Sequence, residues 1–91
     1  MRKFIIERTI KDIGRMAPCE LSGAAATSNA AIAKLFPAVQ WVHSYVSGDK
    51  TFCIYLADSE NDIKEHSRVS GIPFDRILEV DKMIDPLTAN I

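Results

Sequence analysis

Cysteine is scarce in this chain: Cys19 and Cys53 are the two present, far apart and without a C-x-x-C pair. A small secreted domain would need more staples than these can form, so free thiols in a reducing compartment are expected. Charge of one sign is lacking too. Eleven Lys and Arg face twelve Asp and Glu, for a formal net charge of −1 and a pI near 6.1. That balance excludes the basic excess by which dedicated nucleic-acid binders hold phosphates. Long apolar runs are missing as well. Met1-Arg2-Lys3 imitates the start of an export signal, but Phe4-Ile5-Ile6 ends at Glu7-Arg8, short of the roughly 7–15 apolar residues such a signal needs. Nothing approaches the ~18 residues of a membrane span. The expectation is a cytoplasmic protein with no membrane and no nucleic-acid partner.

What is present is an ordinary globular composition, 47% hydrophobic and 25% charged in 91 residues, enough for one domain over residues 1–91 with one modest core. Residues 3–9 alternate and are β-branched, which predicts a strand. Residues 11–19 contain Gly14 and Pro18 and form a connection. From Pro18 good helix formers recur at helical spacing to about Phe36, where Pro37 stops them. Residues 39–46 and 51–57 read as strands around the turn Ser47-Gly48-Asp49-Lys50. Ser59 is placed to cap a helix that runs to about Ser70, closed by Gly71 with Pro73 beyond. Residues 76–82 form the last strand, and 83–91 a tail that packs or touches a partner. The order β-α-β-β-α-β is the ferredoxin-like α+β fold, a four-stranded antiparallel sheet with two helices on one face.

With both helices on one side, the other face of the sheet has no cover within one chain, so the assignment of side chains to faces decides where chemistry can occur. Phe4 and Ile6 suit the helix side, leaving Ile5, Glu7 and Thr9 open and Arg8 pointing away from Glu7. In the second strand Val42, Ser44 and Val46 are expected under the helices, with Trp41, His43 and Tyr45 open. In the third, Phe52, Ile54 and Leu56 form the expected core set, leaving Thr51, Cys53 and Tyr55 open. In the last, Leu78 and Val80 turn inward, and Ile77 and Glu79 outward. A hairpin loop of three or five residues produces this register. A tight Gly48-Asp49 turn would instead put Trp41, His43 and Tyr45 with Phe52, Ile54 and Leu56.

On the longer loop, His43 and Cys53 come within reach of a shared ligand. Imidazole and thiolate are donors for nickel, zinc or copper, and Glu7 adds a carboxylate, so His43, Cys53 and Glu7 are the expected metal ligands. Cys53 also fits a buried small hydrophobe. Trp41, Tyr45, Tyr55, Thr9 and Glu79 are expected to line the pocket, Glu79 beside Glu7 on a neighbouring strand. His66, on the inner stripe of the second helix, is a core histidine or a further ligand. Aromatics collected on an uncovered sheet face predict a homodimer closed through it around a cavity.

The strings Trp41-Val42-His43-Ser44-Tyr45-Val46 and Thr51-Phe52-Cys53-Ile54-Tyr55-Leu56-Ala57 resemble a family of small bacterial domains of unknown function, some of whose members are named nickel-binding proteins. The likeness continues through Glu7-Arg8, Glu65-His66-Ser67, Ser70-Gly71-Ile72-Pro73 and Ile84-Asp85-Pro86-Leu87-Thr88-Ala89, across nearly the whole chain. The usual family strings are E-H-A, G-F-P and I-D-P-T-T-A, and Ser67 and Ile72 are among the departures from them. The resemblance implies a ferredoxin-like fold, a dimeric α/β barrel and, for some members, nickel; it supplies no ligand list. Two functions follow as expectations. One is a dimeric metal-binding protein, with nickel as the ion and zinc as the rival, its site on the open sheet face. The other is a cofactor-independent enzyme of the dimeric α/β-barrel type, in which His43 or Glu7 moves a proton on a small organic molecule. A plain interaction domain with a dry dimer seam is the third reading.

Overall fold

A computed structural model describes residues 1–90. The elements are β1 (Arg2–Thr9), α1 (Pro18–Leu35), β2 (Val39–Ser47), β3 (Lys50–Ala57), α2 (Glu60–Ser70) and β4 (Arg76–Glu79), with short 3₁₀ turns at Ile13–Arg15 and Pro86–Asn90. The sheet has four strands in the order β2-β3-β1-β4, all neighbours antiparallel. This is the ferredoxin-like fold, with α1 and α2 packed side by side on one face.

Local chemistry explains the element ends. Pro18 opens α1, where a missing N–H costs nothing, and the Glu20 side chain reaches back to the Ala17 N–H at 3.3 Å. The Ser59 hydroxyl accepts from the Asp62 N–H at 3.3 Å at the start of α2, and Gly71 ends it at φ 73°. The tail begins as expected beyond β4, but that strand stops at Glu79 instead of residue 82. Met83, Ile84 and Leu87 in the tail are exposed, and Asp85 Oδ1 accepts from the Leu87 and Thr88 N–H groups to hold its turn. The tail's last residue, Ile91, lies outside the described residues.

The expected hairpin register is corrected. Ser47 pairs with Lys50, so Gly48-Asp49 is a two-residue turn, and Gly48 at φ 60° supplies the left-handed first position such turns favour. Thr51, Cys53, Tyr55 and Ala57 therefore lie buried under the helices, while Phe52, Ile54 and Leu56 form the open face. A bulge between Trp41 and His43 splits β2. Trp41 pairs with Tyr55 and Ser44 with Cys53 on the helix side, whereas His43 and Tyr45 pair with Ile54 and Phe52 on the open side. In β4 the expectation is also reversed. Leu78 pairs with Ile5 on the open face, while Ile77 and Glu79 pair with Ile6 and Phe4 on the helix face.

The core is Phe4, Ile6, Val39, Cys53, Tyr55, Ala57 and Ile63, with Ile32, Leu35, Ala38, Trp41 and Ile77 packed against it. The link from β1 to α1 is tied to the hairpin turn: Ile10 N–H donates to Asp49 O at 2.7 Å and Gly14 N–H to Gly48 O at 2.8 Å. A Cβ on Gly14 would meet Gly48 O at 2.8 Å, so glycine is required for that approach. This tie brings Ile10 and Ile13 over one end of the space between α1 and the sheet.

Candidate functional site

The two faces of the sheet carry different chemistry. Under the helices, Arg8 continues the inward alternation of Phe4 and Ile6 and is only 2% exposed. Its Nε donates to Pro73 O at 3.1 Å, Nη1 to Cys53 Sγ at 3.5 Å and Nη2 to Ser67 Oγ at 3.3 Å. The guanidinium also lies 5.8 Å from the Tyr55 ring centroid. These partners are a carbonyl, a cysteine sulfur, a hydroxyl and an aromatic ring, and Cys53 Sγ donates in turn to Thr51 Oγ1 at 3.6 Å. Among the described residues no carboxylate lies within ion-pair distance of Arg8, and no acidic side chain is buried.

Beside Arg8 lies a cavity of about 230 Å³. Its apolar walls come from Ile10, Ile13, Leu21, Ala24, Ala25 and Trp41, and its polar atoms from Ser28, Ser44, Thr51, Cys53 and Tyr55. The Trp41 ring is fixed by Nε1 donating to Ser44 Oγ at 3.0 Å. Ser28 Oγ lies 3.2 Å from both the Tyr55 hydroxyl and His66 Nε2, which makes it the hub of a buried chain. Burial pushes the His66 pKa down to about 4, and the neighbouring Arg8 charge pushes the same way, so the imidazole is neutral. Its Nδ1 has no partner among the described residues. Burial also raises the Tyr55 pKa, against the opposing hydrogen bond from Ser28 and the charge of Arg8.

The open face holds His43, Tyr45, Glu7 and Thr9 among apolar side chains. His43 is exposed, its ring edge-on to Tyr45 with centroids 5.0 Å apart. Glu7 is held by Lys50 Nζ at 2.9 Å and Arg76 Nη2 at 3.7 Å, while Thr9 donates to Asp75 at 2.6 Å. The hydrogen bond to Glu7 raises the Lys50 pKa.

The expected ligands are thus separated. His43 and Cys53 lie on opposite faces, because the tight turn inverts β3 relative to the expected register. Glu7 shares the face of His43 but sits two strands away, roughly 10 Å at ordinary strand spacing, and is already paired with two cations. Glu79 is on the other face from Glu7, paired with Arg2 at 3.2 Å. Trp41 and Tyr55 line a cavity, but under the helices, whereas Tyr45 and Thr9 stay open. His66 is a buried core histidine bound to Ser28. No group of three or more His, Cys, Asp or Glu converges among the described residues, so one chain by itself does not present a nickel or zinc centre. Arg8, Ser28, Ser44, Thr51 and Ser67 were not singled out from the sequence. The signal that could have found Arg8 is its position in phase with Phe4 and Ile6, a charged residue on the core side of a central strand.

The model of the SCO4226-like family, described as nickel responsive protein SCO4226-like, matches residues 4–80. Among solved structures, that of SCO4226 from Streptomyces coelicolor A3(2) superposes with a TM-score of 0.75 at 14% identity, covering 90% of this chain and 99% of the other. No curated protein matches. At that identity the superposition establishes the fold alone. Among the described residues, no helix is long and apolar enough to cross a membrane.

Proposed function

From the premise that the chain belongs to the SCO4226-like nickel responsive protein family, we propose that it is a nickel-binding homodimer, closed through the open sheet faces, with the ion held at the seam by His43 of both copies. The observation that carries this reading is the open face itself. Tyr45 is 61% and Leu78 46% exposed there, beside the half-buried Ile5, Phe52, Ile54 and Leu56. An apolar sheet face of this kind calls for a second layer. A second copy is the simplest one, and the exposed Met83, Ile84 and Leu87 of the tail offer further apolar contact. A two-fold axis doubles each donor, so a single exposed imidazole becomes a pair. Imidazole is a ligand type that suits nickel, and the thiol under the helices takes no part.

Metal content and light-scattering mass of protein made without a histidine tag test this directly. We expect twice the 10.1 kDa chain mass and about one nickel per two chains. His43→Ala should abolish nickel uptake and leave the dimer. A monomer, or a variant that keeps its nickel, contradicts the proposal. Zinc in place of nickel at the same His43-dependent site would change the ion and keep the architecture.

A second reading, in which a small organic molecule occupies a cavity, is favoured by the cavity beside Arg8. Neither His43 nor Glu7 lines that space, so the proton-transfer roles expected of them have no place there.

A further inference from the structure

A guanidinium sealed from water without a counter-charge is unfavourable unless an anion joins it. Arg8 is in that situation, 2% exposed and fixed by Pro73 O, Cys53 Sγ and Ser67 Oγ. Guanidinium has five N–H donors in a planar fork. Three bonds leave part of the fork unused, and the group borders the 230 Å³ cavity. The rest of the wall is mostly apolar. The small side chains Ala24, Ala25 and Ser28 of α1 leave the space open, and the indole of Trp41 forms one side.

We infer that this cavity binds a small monocarboxylate with a compact apolar body, its carboxylate on Arg8 and its body between Trp41 and α1. Nη1 and Nη2 each keep one N–H beyond these bonds, and a carboxylate is an acceptor suited to both. One buried cation balances one negative charge, so a monoanion fits better than a dianion. The apolar walls suit a hydrocarbon body, which inorganic phosphate lacks. Ser28, Ser44 and Thr51 hydroxyls border the space and can take up a carboxylate oxygen that Arg8 does not hold. At 230 Å³ the space falls short of the roughly 300–1,000 Å³ of drug-sized sites, so the ligand is a small acid. The site lies on the opposite face of the sheet from His43 and does not depend on nickel.

Trp41 is the sole tryptophan, which makes its fluorescence a local probe. The test titrates acetate, butyrate, benzoate and inorganic phosphate, with acetamide, butyramide and benzamide as uncharged counterparts, against the intact protein. Indole fluorescence and melting temperature are followed together. We expect at least one of the acids to change Trp41 emission and raise the melting temperature, at least tenfold more tightly than its amide. Ala25→Leu, which fills the cavity and keeps the cation, should weaken that binding at least tenfold while far-UV circular dichroism stays unchanged. Arg8→Gln should abolish it. Should that variant fail to fold, the acid-to-amide ratio in the unmodified protein still decides. No binding by any acid of the series, equal binding of acid and amide, unchanged binding in a folded Ala25→Leu, or phosphate binding as tightly as the best acid would each overturn the inference.

Discussion

The two faces of one sheet differ in almost every respect that matters here. The face under the helices carries a buried cation, a neutral histidine and a chain of hydroxyls beside a cavity. The open face carries apolar side chains, an exposed imidazole and a surface cluster of Glu7, Lys50, Arg76 and Asp75. Identical groups therefore have different consequences on the two sides. An ion pair at the surface contributes little, because water and salt screen it. A lone guanidinium in the interior dominates its surroundings, because nothing screens it.

Paired substitutions sharpen this contrast, and the largest effect belongs to the tyrosines. Tyr55 is buried and hydrogen-bonded to Ser28, whereas Tyr45 is exposed. Tyr55→Ala should cost about 3–5 kcal/mol in denaturant unfolding, as large aromatic truncations in cores do. Tyr45→Ala, compared at dilutions where the chain is monomeric, should leave stability within about 0.5 kcal/mol and act instead on the mass measured by light scattering. Equal effects on chain stability would break the distinction between the faces.

The next effect is acid sensitivity. His66 stays neutral in the folded chain down to about pH 4, while unfolded histidine takes up a proton near pH 6.5. Between those values the unfolded state binds more protons, so stability falls as pH falls from 6.5 toward 4. The full loss is on the order of 3 kcal/mol. Chemical denaturation at a series of pH values should show it, and His66→Gln should flatten that part of the profile.

Smaller effects come from the hub and from the loop tie. Ser28→Ala leaves the Tyr55 hydroxyl and His66 Nε2 without their shared partner and should cost about 1–3 kcal/mol. Gly14→Ala pushes a methyl against Gly48 O and should cost a similar ~1–3 kcal/mol through forced separation of loop and hairpin. Lys50→Met on the open face marks the lower end. It removes the contacts to Glu7 and Asp75, yet the melting temperature in physiological salt should barely move. A large drop would mean that the open-face cluster supports the fold.

The order of elements was legible because its punctuation is local: Pro18 and Pro37 bracket α1, and Ser59 and Gly71 bracket α2. The faces of β3 were not. Thr51-Phe52-Cys53-Ile54-Tyr55-Leu56-Ala57 is apolar on both alternating sets, so hydrophobicity cannot choose between them, and a one-residue change of register inverts the strand. The Gly48-Asp49 turn held the needed information, since glycine at the first position of a two-residue turn matches strand twist. The bulge at Trp41 and His43 had no such marker. It separates two aromatics that simple alternation puts together, so the expected pocket wall divides between the two faces, with Trp41 under the helices and His43 in the open. Arg8 was visible as inward-pointing, but a charge in phase with a core strand acquires meaning only once its surroundings are known to lack a carboxylate.

The separation of His43 from Cys53 is the claim on which the division between faces rests. X-ray absorption at the nickel edge of the loaded protein tests it most directly, because sulfur scatters differently from nitrogen and oxygen and sits farther from the metal. We expect a first shell of nitrogen and oxygen with an imidazole signature and no sulfur. A nickel–sulfur shell that disappears in Cys53→Ser would put thiol and imidazole on one ion and contradict the two-faced arrangement.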